Sequence, residues 1–185
     1  MKNRYKYLSE SELTYRARLI AMAALRFFIL KYEYTRDFVF DMEESISFEG
    51  ETGAYLLYVY ARICSIFTKG MKQGISIPYI PFEDKTNNWN SESIFEEIST
   101  PERNVLFHLS KYPTILSTTC STLKAHILCR YLLELAQLFN NFYHECPILK
   151  EKGPTRNFRL SICELVRKVM KHGLQLIKID VLTEM

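Results

Sequence analysis

The chain has 185 residues, of which 48% are hydrophobic, 14% are aromatic and only six are glycine, a balance that suits one packed helical domain with a small appendage and disfavours a glycine-turned sandwich or a doubly wound sheet. A net charge of +3 is too mild to announce a nucleic-acid partner, and no stretch is long and apolar enough to span a bilayer. Five cysteines without a C-x-x-C pair point to reduced thiols rather than a disulfide frame or a zinc site, with the cytoplasm as the expected compartment.

Residues 1–12 are polar and charged. From Leu13 to Tyr32, the positions Leu13, Ala17, Ile20, Ala24, Phe27 and Phe28 recur every three or four residues and predict one amphipathic helix. Ala21, Ala23 and Ala24 leave room for a closely packed neighbour. Residues 35–50 mix acidic and apolar side chains and read as an extended connection with at most a short helical turn. Asp41, Glu43 and Glu44 are expected to be solvated charges ahead of a helix, because nothing near them supplies a base orienter or an oxyanion donor.

The stretch from Ile46 to Lys69 organises the chain. Gly50 and Gly53 are placed where the backbone can take positive φ, and Thr52 is the expected N-cap. With an advance of about 100° per residue, Tyr55, Tyr58, Arg62, Ser65 and Lys69 fall within roughly 80° of arc. Leu56, Val59, Tyr60, Ile63, Ile66 and Phe67 fill the neighbouring face as core. Two phenols, a guanidinium, a hydroxyl and an ammonium in a line suit stacking on flat groups and hydrogen bonding to phosphates. The same residues also fit a capped core with a solvated edge.

Residues 70–93 carry two glycines, two prolines and an Asn/Ser cluster, and read as a linker. Trp89 within it either covers a core edge or stacks on a base. Ser99 or Thr100 as N-cap, Pro101 and Glu102 begin a helix that ends at Pro113. A short helix and a long one follow, the latter with Leu123, Ile127, Leu128, Tyr131, Leu135, Leu138, Phe139 and Phe142 as its stripe and Pro147 as its stop. His126 and His144 read as structural histidines, since no second ligand stands at metal spacing from either. Arg130 is set for a salt bridge to Glu134 or a phosphate contact. In the last helix Ile162, Leu165, Val166, Val169, Met170, Leu174 and Ile177 form the apolar face, Arg159, Arg167, Lys168 and Lys171 occupy much of the remainder, and Gly173 allows close packing or ends the helix.

Four blocks, in order, resemble the C-terminal part of arginyl-tRNA synthetases with its DALR-type anticodon-binding domain. They are AALRFFIL from Ala23 to Leu30, FEGETGAYLLYVYARICS from Phe48 to Ser65, the run from His126 to Tyr143, and the ending from Arg167 to Met185. Asp37 to Asp41 also matches the family's D-F-V-F-D segment. Lys178 departs from the pattern, standing where glycine is frequent, which leaves open the turn before Ile179. The resemblance implies an all-α helical bundle in two parts, residues 1–50 as a remnant of the catalytic unit and 51–185 as the anticodon-binding domain. It also implies a role in recognising arginine tRNA for ATP-dependent aminoacylation.

Neither an H-I-G-H-type nor a K-M-S-K-type motif occurs, and the glycines form no phosphate loop. The expectation is therefore a chain with no catalytic residues and no metal ligands of its own, inactive alone, with ATP and Mg²⁺ belonging to the full enzyme. Its expected partners are the anticodon loop of arginine tRNA and a missing catalytic domain, with no membrane and a monomeric state. The terminal methionine fits a natural C-terminus. The resemblance assigns Tyr55, Tyr58, Tyr143 and Met185 to anticodon bases and Arg62 to positioning or phosphate. Charge and spacing add Arg130, Arg167 and Lys171. A helical tRNA-binding or protein-interaction module without ligase activity and the bundle of another class I synthetase are the alternatives.

Overall fold

The computed structural model describes residues 9–48, 50–75 and 98–185. Trp89 and most of the predicted linker lie outside the described residues. Among those described, the structure is all α. Its seven helices are α1 (Glu10–Leu30), α2 (Met42–Ile46), α3 (Gly53–Lys72), α4 (Thr100–Ser110), α5 (Tyr112–Thr122), α6 (Ala125–Glu145) and α7 (Gly153–Leu176). Helix α3 packs against α1, α6 and α7, while α4 and α5 pack on α6.

Helix α1 starts where the Ser9 hydroxyl accepts the Glu12 amide at 3.2 Å, which satisfies one of the amides left free at a helix start. Its buried residues are Ile20, Ala23, Ala24, Phe27 and Phe28. Leu13 is only half-buried and Ala17 is exposed, so the predicted stripe holds for the C-terminal half alone. The expected short turn is α2, capped by Asp41, whose Oδ1 accepts the Glu44 amide at 2.9 Å. Asp41 is thus a cap.

Thr52 caps α3 by accepting the Tyr55 amide at 3.0 Å. The two glycines on either side of Thr52 have different tasks. Gly50 takes φ +83°, whereas Gly53 does not adopt positive φ. A Cβ at residue 53 would lie 2.2 Å from the Ala23 carbonyl oxygen, so glycine is needed there for the approach of α3 to the small-residue face of α1. Leu56, Val59, Tyr60, Ile63, Ile66 and Phe67 are all buried, as their spacing predicts, and Leu57 and Ala61 join them.

Ser99 and Glu102 form the capping box of α4. Glu102 accepts the Ser99 amide at 2.8 Å and, through its other oxygen, the Arg159 Nε at 2.7 Å. Arg159 also donates to the Pro147 carbonyl at 2.8 Å. The predicted basic face of α7 therefore loses Arg159 to an inward ion pair. Burial alone would raise the pKa of Glu102, but the Ser99 and Arg159 hydrogen bonds outweigh it and hold the carboxyl below its ordinary value.

Pro113 sits in the first turn of α5 and so begins a helix, in agreement with proline's fixed φ and missing N–H. Leu123 does not belong to the stripe of α6. It closes α5 in the left-handed region at φ 55° and is 84% exposed. Gly173 lies within α7, where an added Cβ would meet the Leu132 side chain at 2.7 Å, so close packing is its role. Beyond α7, the Ile179 amide reaches the Leu174 carbonyl at 2.9 Å and the Lys178 amide reaches that of Gln175 at 3.0 Å. This is a Schellman ending, with Lys178 at φ 59° in the place that glycine usually takes. The turn left open by the sequence is therefore made without the glycine.

His108, which the sequence did not single out, is the buried histidine. Its Nε2 lies 3.0 Å from the Tyr131 carbonyl oxygen, and the Tyr131 hydroxyl donates to the His108 carbonyl at 3.1 Å. Burial holds its imidazole below the ordinary pKa.

Two stability measurements test this packing. Gly53→Ala should lower the urea-unfolding free energy by about 2–3 kcal/mol, since backbone meets the new methyl group, and an unchanged value would contradict the close approach. Because the folded pKa of Glu102 is depressed, its contribution is present above the unfolded carboxyl value of about 4.3 and lost as pH falls through the lower folded value. Glu102→Gln should flatten that acid limb in pH-dependent unfolding.

Candidate nucleic-acid interface

The strip of α3 that escapes burial carries Tyr55, Tyr58, Arg62, Ser65 and Lys69, half-buried or exposed in turn. Opposite its first two turns stands α6, and between the two helices the structure builds one polar and aromatic cluster. The Arg62 Nη1 donates to Asn140 Oδ1 at 2.8 Å, and its Nη2 donates to the Tyr58 hydroxyl at 2.7 Å. Asn140 Nδ2 donates in turn to the Tyr55 hydroxyl at 2.8 Å. The Arg62 guanidinium also lies 4.8 Å from the centre of the Tyr58 ring and 5.0 Å from that of Tyr143, within the range where a cation is attracted to a ring face.

Each member is positioned from its own helix. Tyr55, Tyr58 and Arg62 are spaced three and four apart on α3 and therefore share a face. Asn140 and Tyr143 are three apart on α6 and do the same. The Tyr143 ring is stacked on Phe139, with centroids 6.4 Å apart, and Phe139 is wholly buried. A core residue thus supports the Tyr143 ring. Burial pushes the Tyr55 phenol above its ordinary pKa against the opposing influence of Asn140 and Arg62, so it remains a neutral hydroxyl at neutral pH.

Four of the eight predicted site residues are thereby brought together: Tyr55, Tyr58, Arg62 and Tyr143. Asn140 was missed. The available signals were its place within the His126–Tyr143 run that carries the resemblance and on the same stripe as Tyr143.

The other four lie apart from this cluster. Arg167 makes two 2.7 Å hydrogen bonds to Glu164 and lies 5.7 Å from the Phe67 ring centre. The Glu164 hydrogen bond, foremost, raises its pKa further still. It is held at the junction of α3 and α7 by an acid three residues before it. Arg130 and Lys171 are exposed, and neither forms an ion pair among the described residues, so the expected Arg130–Glu134 bridge is not made. Glu134 instead lies 4.0 Å from His108 Nδ1. Met185 is half-buried against the core, beside Glu184, whose carboxylate is 3.8 Å from the Arg16 guanidinium of α1.

Of the histidines considered as ligands, His126 is half-buried and His144 is exposed, edge-on to Tyr143 at 5.6 Å. Among the described residues no three His, Cys, Asp or Glu side chains come together as a metal site. No described helix is long and apolar enough to cross a membrane.

Residues 56–185 match the family model of the DALR anticodon binding domain. The chain belongs to that family. Tyr58, Arg62, Asn140 and Tyr143 all lie inside the DALR match, and Tyr55 immediately precedes it. Among curated proteins the chain is 34% identical over 175 residues to an arginine–tRNA ligase of Cutibacterium acnes, covering 94% of this chain and 31% of that protein. It is 32% identical over 173 residues to the arginine–tRNA ligase of Pyrococcus furiosus, covering 94% of this chain and 26% of that protein. The chain thus spans less than a third of the length of these relatives. Among solved structures, Thermus thermophilus arginyl-tRNA synthetase superposes with a TM-score of 0.77 at 27% identity, covering 91% of this chain and 27% of that one. The Plasmodium falciparum arginyl-tRNA synthetase shares the fold with a TM-score of 0.74 at 23% identity, covering 100% of this chain and 30% of that one.

Arg62 is the hub of the DALR cluster, so its removal has a defined cost. Arg62→Ala forfeits two hydrogen bonds and two cation–ring contacts, and should lower stability by about 1–2 kcal/mol in urea unfolding. A change below a few tenths of a kcal/mol would mean that the cluster is not held together through this side chain.

Proposed function

We propose that this chain is the tRNA-recognising part of an arginine–tRNA ligase and that it binds the anticodon loop of arginine tRNA. The observation that carries the reading is the Tyr55–Tyr58–Arg62–Asn140–Tyr143 cluster. Partly exposed rings stand beside a guanidinium and two phenol hydroxyls that accept from Arg62 and Asn140 and keep a proton to donate, which is what an unstacked loop base requires. Similarity to relatives that are arginine–tRNA ligases supports it, as does membership of the DALR anticodon binding domain family. Met185 is proposed to reach the same loop from the end of the chain. Arg130 and Lys171, exposed on α6 and α7, are proposed as phosphate contacts. Arg167 is kept as a weaker phosphate candidate because Glu164 already neutralises it.

Aminoacylation itself is proposed for the ligase as a whole, with ATP and Mg²⁺ taken up by the catalytic domain of that ligase. Surface for such a partner is available between α1 and α3, where Tyr34, Val39 and Met42 are 75%, 89% and 67% exposed. We place the protein in the cytoplasm and as a monomer on the same reading. A protein-interaction module would employ the same helices, but its binding would be far less sensitive to salt than contacts to phosphates, which release counterions.

The test is a salt-titrated binding assay of the chain against an arginine tRNA transcript and the same transcript with its anticodon replaced. Binding should be tighter to the first and should weaken as salt rises. Tyr55→Ala combined with Tyr143→Ala should weaken it by an order of magnitude or more, at roughly 1–3 kcal/mol per stacked base, with helical circular dichroism unchanged. Equal affinity of the double variant would remove the cluster from the interface.

A further inference from the structure

We infer that Asn140 is a positioning residue that turns the Tyr55 and Tyr58 hydroxyls into outward hydrogen-bond donors, so that the cluster selects acceptor atoms on the edge of an unstacked base. The inference rests on the RNA-binding reading above and specifies the chemistry of its site.

The hydrogen-bond directions follow from Arg62. A guanidinium has donors only, so the Asn140 atom that faces Arg62 Nη1 at 2.8 Å is the carbonyl oxygen. That choice fixes the amide, and its nitrogen then donates to the Tyr55 oxygen at 2.8 Å. By the same rule the Tyr58 oxygen accepts from Arg62 Nη2 at 2.7 Å. Both phenol oxygens are therefore engaged as acceptors. Neither phenol proton has an acceptor among the described residues. Tyr58 is 38% exposed and Tyr55 is half-buried beside it, so the two protons face the side from which a ligand arrives.

The cluster consequently presents ring faces, a positive charge and two hydroxyl protons, while its acceptors are already in use. Carbonyl oxygens and ring nitrogens of a base meet partners there. An exocyclic amino group finds there only oxygens that already accept a hydrogen bond. Asn140 is the residue on which this polarity depends, because an acid in its place would still hold Arg62 but would accept the Tyr55 proton and turn it inward.

The probe is the anticodon stem–loop RNA of an arginine tRNA, bound to the whole chain at fixed salt. Tyr55→Phe and Tyr58→Phe keep the rings and remove the donors, and each should weaken binding about five- to tenfold. Asn140→Asp should weaken it as well. In the Tyr55→Phe background the Asn140→Asp penalty should be clearly smaller than in the unsubstituted chain, since the proton it diverts is already gone. Any repulsion from the added charge is common to both backgrounds and cancels. Each variant should remain folded, with its melting temperature lowered by no more than the one internal hydrogen bond it removes.

Unchanged affinity of both Tyr→Phe variants, with loss only in Tyr→Ala variants, would overturn the inference and leave stacking alone. Strict additivity of Asn140→Asp with Tyr55→Phe would overturn the role of Asn140. With loops made abasic at one anticodon position at a time, the Tyr58→Phe penalty should vanish at one position. Its persistence at all three would mean a phosphate acceptor and overturn the base-edge assignment. Absence of any RNA binding by the unsubstituted chain would defeat the functional reading itself, an outcome distinct from silent Tyr→Phe variants on a chain that binds.

Discussion

Because a Cβ at residue 53 would stand 2.2 Å from the Ala23 carbonyl oxygen, α3 can enter the bundle along its observed path only with glycine in its first turn. The contact sets the helix against the small residues of α1, and the next three turns are then enclosed by α1, α6 and α7. Burial on so many sides leaves one strip of α3 outside the core. Tyr55, Tyr58 and Arg62 occupy it. The position of the candidate site is thus a by-product of packing, and its rigidity has the same origin.

Electrostatics divides the cations of the chain into two groups. Arg159 pairs with Glu102 at 2.7 Å and braces α7 against α4, whereas Arg167 pairs at 2.7 Å with Glu164 of its own helix and lies against the Phe67 ring of α3. Arg62 is different, because its partners are neutral: an amide oxygen, a phenol oxygen and two ring faces. Its charge is oriented but not cancelled. A positive group that is held in place without an acid beside it suits an anionic, flat ligand, and it distinguishes this cluster from the ion pairs elsewhere in the bundle.

Much of this was legible from residue spacing. The angular advance along α3 separated the buried face from the exposed strip correctly, since a helix with one polar arc has few other ways to fold. Thr52, Ser99 and Pro101 marked helix starts through local hydrogen-bond chemistry that depends on near neighbours alone. The failures involve distance in sequence. Nothing near Arg159 announces Glu102, which lies 57 residues away, and nothing near Asn140 announces Tyr55. Arg167 is the exception, since Glu164 at i−3 was available as a signal. Leu123 was drawn into the stripe of α6 because its spacing fits, although it is the left-handed residue that, with Lys124, joins two helices. Gly53 was assigned to a turn because the sequence shows that a glycine is needed without showing whether conformation or space requires it.

The central question is whether the strip on α3, rather than the basic side of α7 alone, meets RNA. With ¹³C-labelled tyrosine rings, a chain of 21.9 kDa with 12 tyrosines allows ring signals to be followed by NMR during titration with the anticodon stem–loop. Signals of Tyr55, Tyr58 and Tyr143 should shift together at one RNA equivalent while those of Tyr112 and Tyr131, packed between α4, α5 and α6, stay in place. Shifts confined to backbone amides near Lys171, with the three rings unmoved at saturating RNA, would contradict it.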